Sequence, residues 1–206
     1  MKAVFFDFGR VLGKFDKKKA CITFSTQSRF SPDKIHDLLV GSDLEKKLES
    51  GQLSGDEFAR EIMQRSECAM SADDARLAWG NIFSPNHDIE PYIERLIEQG
   101  MKIGVLSNTS EVHWPYIAEL PVMKKLAAYG APLILSHEAR MMKPYPTIYM
   151  FAATNLEVNP SDALFIDDIE ENLVGARNVG MKAEKYDCTQ DPASRLDEIF
   201  GAHGLL

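Results

Sequence analysis

Short apolar runs, each followed by polar residues, recur along this chain and constrain its fold more than any other feature. The clearest are residues 3–6, 102–106, 132–135 and 163–166, with 181–186 as a fifth candidate. None of them alternates polar with apolar residues, which is typical of strands that are covered on both faces of a parallel sheet. Helical patterns separate the later runs, over residues 87–99, 146–156, 170–179 and 191–200. This alternation predicts a doubly wound, Rossmann-like α/β domain with a parallel sheet.

A long interval after the first run has a different pattern. Residues 13–86 contain no strand-like run, and their signals are helical. Ser54 with Glu57, and Ser71 with Asp74, have the spacing of a capping box or its aspartate variant, and Ser31 precedes a proline that suits a first helical turn. We therefore expect a wholly helical insertion over residues 14–86, above the carboxyl ends of the strands. The α/β core would then comprise residues 1–13 and 87–206.

Composition narrows the class of protein. The 206 residues are 45% hydrophobic and 26% charged, which excludes a disordered or fibrous chain. The net charge of −8 disfavours nucleic-acid binding, and no apolar stretch approaches the roughly 20 residues of a membrane span. The three cysteines, Cys21, Cys68 and Cys188, fit neither a zinc site nor a disulfide framework. We expect a soluble cytoplasmic protein, a monomer or a homodimer, with a small-molecule partner.

Polar residues that can carry chemistry follow the predicted strands. They are Asp7, then Ser107-Asn108-Thr109, then Lys143-Pro144, and finally Asp167-Asp168. Each has an ordinary structural explanation, such as a turn, a helix cap or a solvated lysine. Together, however, they would meet at the carboxyl edge of the sheet, where open α/β sheets bind their ligands.

This set is chemically complete for phosphoryl transfer to a carboxylate. An aspartate and a phosphate charge ~4 Å apart repel by roughly 4 kcal/mol at an effective dielectric constant of about 20. Asp7, Asp167 and Asp168 offer oxygen ligands for Mg²⁺, which offsets that repulsion. Lys143 adds a second positive charge, and Ser107 with the N–H groups after it supplies directional donors.

The order of these motifs resembles that of the haloacid dehalogenase-like hydrolase superfamily. Residues 105–109, 142–149 and 165–172 further resemble the bacterial α-D-glucose-1-phosphate phosphatase group, which is related to the phosphatase domain of epoxide hydrolases. The resemblance implies a phosphatase with Mg²⁺ as cofactor, acting on a small phosphorylated metabolite such as a sugar 1-phosphate. It also implies that the helical insertion is a cap that closes over the site.

The same resemblance implies a role for each site residue. Asp7 would be the nucleophile that forms an aspartyl-phosphate, and also a metal ligand. Mg²⁺ would be held by Asp7, the Gly9 carbonyl, Asp167 and Asp168. Ser107 and Asn108 would contact the phosphate, Lys143 would neutralise it, and Asn172 would support the acidic loop by hydrogen bonding.

One position departs from the common pattern of these phosphatases. Gly9 stands where most of them place a second aspartate, which protonates the leaving alcohol and then activates water, a contribution of about 10²–10⁴-fold. Two accounts stay open. Either the leaving hydroxyl is comparatively acidic and solvent or a cap residue activates the water, or the protein binds phosphorylated ligands and turns them over poorly. Arg10, which follows, is equally compatible with a phosphate contact and with a place at the rim.

A second enzymatic interpretation is a hydrolytic 2-haloacid dehalogenase, which uses the same aspartate on carbon. Asp167 and Asp168 without a metal would repel an incoming haloacid, which disfavours it. Among the remaining candidates, we expect His113 on a surface helix, the run Lys17-Lys18-Lys19 on a solvated helix face, and Trp79 in packing contacts.

Overall fold

Five strands form a parallel sheet with β1 at its centre in the computed structural model, which describes residues 1–205. In chain order the strands are β1 (Ala3–Phe6), β2 (Gly13–Phe15), β3 (Phe83–Pro85), β4 (Lys102–Ser107), β5 (Leu133–Leu135), β6 (Ala163–Asp167) and β7 (Lys182–Lys185). The sheet order is β5-β4-β1-β6-β7, so the chain builds outward from β1 first on one side and then on the other. All four residues of β1 are buried. The predicted parallel sheet and its five strands are confirmed.

Helices cover both faces of the sheet and fill the helical insertion. In chain order they are α1 (Lys17–Ser25), α2 (Pro32–Leu39), α3 (Asp43–Glu49), α4 (Gly55–Arg65), α5 (Ala72–Gly80), α6 (Glu90–Glu98), α7 (Trp114–Ile117), α8 (Pro121–Tyr129), α9 (Ser136–Ala139), α10 (Pro146–Asn155), α11 (Glu170–Asn178) and α12 (Ser194–Ala202). The predicted helices are confirmed within a few residues at each end. Helices α8 and α9 have no counterpart among them, although Pro121 in the first turn of α8 and Gly130 after its end (φ 84°) are ordinary start and stop signals.

The helical insertion has its own caps and its own core. Ser54 caps α4 through a complete capping box, in which its hydroxyl accepts from the Glu57 N–H and the Glu57 carboxylate accepts from the Ser54 N–H at 2.9 Å. Phe24, Phe58 and Trp79 belong to a buried apolar cluster that is separate from the clusters on the two faces of the sheet. The insertion is therefore held together mainly by its own hydrophobic contacts. Its boundaries at residues 14 and 86 stay a prediction.

A short antiparallel ribbon joins the insertion to the core, and this corrects the prediction that residues 13–86 contain no strand. Strand β2 pairs with β3, with Gly13 opposite Pro85 and Phe15 opposite Phe83. Each strand has three residues, which is too short for a periodic pattern to show, and the partners are far apart in the chain. The ribbon places Phe15 beside the carboxyl edge of the parallel sheet, where it lines a cavity.

His113 lies in the interior, which corrects the prediction of a surface position. It is 5% exposed, its ring stacks on Trp79 with centroids 6.2 Å apart, and Phe83 approaches it edge-on at 5.1 Å. The loop after β4 is buried because the insertion covers it. Burial, and secondarily the charge of Lys17, lowers the pKa of His113 to about 3. The imidazole is therefore neutral at pH 7.

This buried imidazole makes the fold sensitive to acid. Because the folded pKa is lowered, the stabilisation is complete above the ordinary value of 6.5 and is lost as the pH falls towards 3. Between pH 7 and pH 5 the unfolded state gains a proton that the folded state excludes, which costs about 2 kcal/mol. Urea unfolding at pH 7 and pH 5 measures this. On going from pH 7 to pH 5, the free energy of unfolding of His113→Phe should fall by about 2 kcal/mol less than that of the unmodified protein. Equal losses would contradict this assignment.

The cysteines are all free and buried, in agreement with the prediction that they form no disulfide. Among the described residues 1–205, no helix is both long and apolar enough to cross a membrane.

Candidate active site

The carboxyl ends of two neighbouring strands bring the predicted acidic residues together. Asp7 follows β1, Asp167 ends β6 and Asp168 comes next in the chain. Because β1 and β6 pair in parallel, both strands end at the same edge of the sheet. One carboxylate oxygen from each of the three residues lies within 4.8 Å of the other two. Such a cluster can hold a cation.

Lys143 lies between two of these carboxylates. Its Nζ is 2.7 Å from Asp7 Oδ1 and 2.6 Å from Asp167 Oδ2, and its side chain is 1% exposed. Burial disfavours the ammonium charge, but Asp167 and Asp7 outweigh it, so the pKa of Lys143 lies above its usual value. Lys143 is therefore a permanent positive charge beside Asp7.

Asn108 fixes the loop that carries Lys143. Its Nδ2 donates to the Lys143 carbonyl at 3.0 Å, and its Oδ1 accepts from the Lys143 N–H at 2.9 Å. Both polar groups of this amide are thus used within the protein. Asn108 lines the cavity, but its side-chain amide already binds the Lys143 backbone. Its contact with substrate stays a prediction.

Asp7 and Asp168, the two aspartates that line the cavity, both have raised pKa values. Burial raises the pKa of Asp7 to about 7, with Lys143 opposing this and Asp167 adding to it. Burial and the charge of Asp167 likewise raise the pKa of Asp168 to about 6. A bound cation would lower both values, because it favours the charged forms.

Asp167 and Asp168 differ in the oxygen atoms they have free. Asp167 is fully buried, accepts from the Ile169 N–H at 2.8 Å and from Asn172 Nδ2 at 3.1 Å, and pairs with Lys143. Asn172 therefore supports the acidic loop, as expected. Asp168 faces the cavity, and its ion-pair partner is Arg10, 3.9 Å away. Asp168 thus has the more accessible lone pairs.

A cavity of about 670 Å³ lies over this cluster, between the sheet edge and the helical insertion. Its core wall includes Asp7, Gly9, Ser107, Asn108, Lys143 and Asp168. Its opposite wall includes Lys17, Glu45, Lys46, Glu49 and Gln52 from the insertion. Nearly all predicted site residues therefore meet at one cavity, with Asp167 buried beneath it.

Arg10 is placed differently from the other predicted residues. It is absent from the cavity wall, and its Nη1 lies 3.4 Å from Asp187 and 3.9 Å from Asp168. Its guanidinium also lies over the Phe15 ring, 5.5 Å from the centroid. This placement favours the rim position over a contact with phosphate, which stays a prediction.

The sequence did not indicate which insertion residues would reach the cavity. Lys17 forms an ion pair with Glu45, and its side chain is only 20% exposed, so it is not on the solvated helix face that we expected. Glu45 also accepts from the Gly41 N–H at 2.7 Å. Helical periodicity identifies the buried face of each insertion helix, but it does not tell which residues turn towards a separate domain.

The chain is similar in sequence to known hydrolases. A family model described as haloacid dehalogenase-like hydrolase matches residues 1–180. A D-ribitol-5-phosphate phosphatase from Bacteroides thetaiotaomicron is 25% identical over 214 aligned residues, which cover 98% of this chain and 100% of the relative.

Two solved structures show how widely the fold is shared. A HAD family enzyme from Bacteroides thetaiotaomicron, in complex with magnesium and inorganic phosphate, has a TM-score of 0.79 at 22% identity and covers 93% of this chain and 96% of its own. The L-2-haloacid dehalogenase from Xanthobacter autotrophicus has a TM-score of 0.64 at 20% identity, and the match covers 89% of this chain and 76% of the dehalogenase. At these identities the likeness shows the fold, so the reaction has to be argued from the site.

Proposed function

The chain belongs to the haloacid dehalogenase-like hydrolase family, and we propose that it is a magnesium-dependent phosphatase that forms a phosphate ester of Asp7 during turnover. The observation that carries the proposal is the pairing of buried Lys143 with both Asp7 and Asp167, beside Asp168, at the floor of one cavity. A nucleophilic carboxylate next to a fixed ammonium and a potential cation site suits an anionic phosphate.

The donor set fits Mg²⁺. Three carboxylates against the single charge of Lys143 leave an excess of two negative charges, which a divalent cation balances. Asp7, Asp168 and the Gly9 carbonyl would hold the ion directly, and Asp167, already satisfied by protein donors, would act through water and Lys143. Bound Mg²⁺ supplies positive charge to the transferring phosphoryl group.

The protein residues then account for both chemical steps. A carboxylate oxygen of Asp7 attacks phosphorus, the ester P–O bond breaks, and the alcohol leaves with a proton. Water then attacks the same phosphorus and loses a proton, which releases inorganic phosphate and restores Asp7. Lys143 and the Ser107 hydroxyl stabilise the charge on the phosphoryl oxygens, and Asn108 holds Lys143 in position.

The substrate is a phosphate monoester of a small sugar or sugar alcohol. A cavity of about 670 Å³ suits a small metabolite, and the charged wall of the insertion offers hydrogen bonds to hydroxyl groups. The likeness to a ribitol-5-phosphate phosphatase supports this class. Sugar 1-phosphates belong to the same class of phosphate monoesters, and the anomeric hydroxyl of such a substrate is a comparatively acidic leaving group. We further propose that residues 14–86 close over the bound substrate as a cap.

Phosphate release from a substrate panel tests this function. The panel contains ribitol 5-phosphate, glucose 1-phosphate and glyceraldehyde 3-phosphate, each with Mg²⁺ or with EDTA. We expect release with Mg²⁺ and none with EDTA. Halide release from 2-chloropropionate without added metal is measured in parallel, because it would instead support the dehalogenase. No turnover of any phosphate ester with Mg²⁺ would overturn the proposal.

Asp168→Asn tests the metal assignment. Loss of one direct ligand should raise the Mg²⁺ concentration for half-maximal activity by about 10–100-fold, comparable to the loss of other metal-site groups. Asp187→Asn is the matched control, since Asp187 also pairs with Arg10 but lies outside the carboxylate cluster. A Mg²⁺ titration that gives the same midpoint for both variants would contradict the assignment.

A further inference from the structure

The space beside Gly9 is crowded by a side chain of the ribbon, and Gly9 itself provides no acid at this position. A Cβ built on Gly9 would lie 3.1 Å from Cε1 of Phe15 and 3.7 Å from Asp7 Oδ2. Phe15 belongs to the ribbon strand β2, and its ring lines the cavity. A carboxyl group that protonates the leaving alcohol would therefore have to lie elsewhere in the cavity wall.

Glu49, the last residue of α3, is on the opposite wall of this cavity. It is half-buried, and within residues 1–205 its carboxyl group has no hydrogen-bond or ion-pair partner. The neighbouring carboxylate of Glu45, in contrast, pairs with Lys17 and accepts from the Gly41 N–H. Glu49 thus lines the same cavity as Asp7, and its carboxyl group has no partner among the described residues.

The backbone of Glu49 is tied to the core beside the phosphate-binding residues. Ser136 Oγ donates to the Glu49 carbonyl at 2.6 Å and accepts from the Thr109 N–H at 2.9 Å. Gly51 permits this close approach, because its φ is 68° and a Cβ there would lie 2.5 Å from the His137 carbonyl oxygen. Ser136 therefore links the end of α3 to the core next to the site.

Other cavity groups are less suited to exchange protons with substrate. Asp168 belongs to the carboxylate cluster, His113 is neutral and packed against Trp79 and Phe83, and Glu171 is exposed. Burial, with the charge of Glu45 next, raises the pKa of Glu49 to about 8. The charge of Lys17 opposes this, Asp7 adds to it and Lys143 opposes it again. Glu49 therefore carries its proton at neutral pH.

We propose that Glu49 is the general acid and then the general base of the phosphatase reaction. As the ester P–O bond breaks, the proton of Glu49 passes to the departing alcohol oxygen and leaves a carboxylate. When water attacks the phosphorus of phosphorylated Asp7, that carboxylate takes the proton of the water, and the Asp7–phosphorus bond breaks. The inference rests on the proposed function, and it supplies the group that Gly9 lacks.

Single-turnover measurements on Glu49→Gln test the acid role through the leaving group. With Mg²⁺ and enzyme in excess, we expect release of ribitol from ribitol 5-phosphate to slow by at least about 100-fold. Release of p-nitrophenol from p-nitrophenyl phosphate, whose leaving group needs no proton, should change by less than about 3-fold, since the effect falls on proton transfer alone. Glu171→Gln, another cavity-wall carboxylate, should leave both rates within about 3-fold, because it removes no acid.

The base role predicts a second signature. In multiple turnover of p-nitrophenyl phosphate, Glu49→Gln should show a burst of p-nitrophenol followed by slow release, because phosphorylated Asp7 accumulates. Glu49→Asp should recover part of the steady rate. Equal slowing of both leaving groups, or no slowing of either, would overturn the assignment. An unmodified protein that hydrolyses no ester would instead overturn the proposed function.

Discussion

Replacing Asp7 with asparagine should reduce phosphate release by at least about 10⁴-fold, as expected when a nucleophile is removed. An amide nitrogen or oxygen does not form the phosphate ester that the second step hydrolyses. Lys143 keeps Asp167 as a partner in this variant, so its charge is not left alone. The measurement is steady-state release from the best substrate of the panel, with Asp7→Ala beside it to exclude activity from deamidated asparagine.

The stability of the same variant provides the control. Burial and Asp167 raise the pKa of Asp7, which means that its ionised form opposes folding. Asp7→Asn should therefore unfold at a denaturant midpoint no lower than that of the unmodified protein. A variant that keeps its fold and more than about 1% of its activity would contradict the role of Asp7 as nucleophile.

Lys143→Met should destroy both activity and a large part of the stability. Its ammonium is buried between Asp7 and Asp167, and its removal leaves two buried carboxylates uncompensated. Breaking such a buried pair from one side costs about 3–5 kcal/mol. Activity should fall by at least about 10³-fold, because the phosphoryl charge loses its fixed partner. Urea unfolding and phosphate release measure the two effects separately.

A double-mutant cycle separates the charge effect from lost packing. Adding Asp7→Asn to Lys143→Met should restore part of the lost stability and none of the activity, since one uncompensated carboxylate disappears. Lys46→Met is the matched control, because Lys46 lines the same cavity but is exposed, and its stability should change by less than about 1 kcal/mol. Stability of Lys143→Met equal to that of this control would contradict the account.

The parallel sheet and its catalytic edge could be predicted because their signals are local. Residues 3–6 and 163–166 are uninterrupted apolar runs, and the position of Asp7 and Asp167 follows from the end of each run. Once strands are parallel, topology alone brings their carboxyl ends together. The serine caps of α4 and α5 were equally readable, because a cap is defined within four residues.

Features that depend on contacts across the chain could not be predicted. The ribbon of β2 and β3 pairs two three-residue segments that the whole insertion separates in the chain. His113 is buried against Trp79 of the insertion, and Glu49 lines the cavity at the point where Ser136 of the core binds its backbone carbonyl. The periodicity of a sequence does not indicate how the insertion and the α/β core, which pack separately, contact each other. For the same reason the sequence did not decide whether Arg10 contacts the phosphate or lies at the rim of the site.

A structure of the protein with Mg²⁺ and beryllofluoride, a mimic of the transferred phosphoryl group, tests the central claim most directly. The account predicts beryllium bonded to a carboxylate oxygen of Asp7, with its fluorines facing Lys143 and Ser107 and Mg²⁺ held by Asp7 and Asp168. Beryllium bonded to any other side chain, or a cavity free of beryllofluoride at saturating concentration, would contradict it.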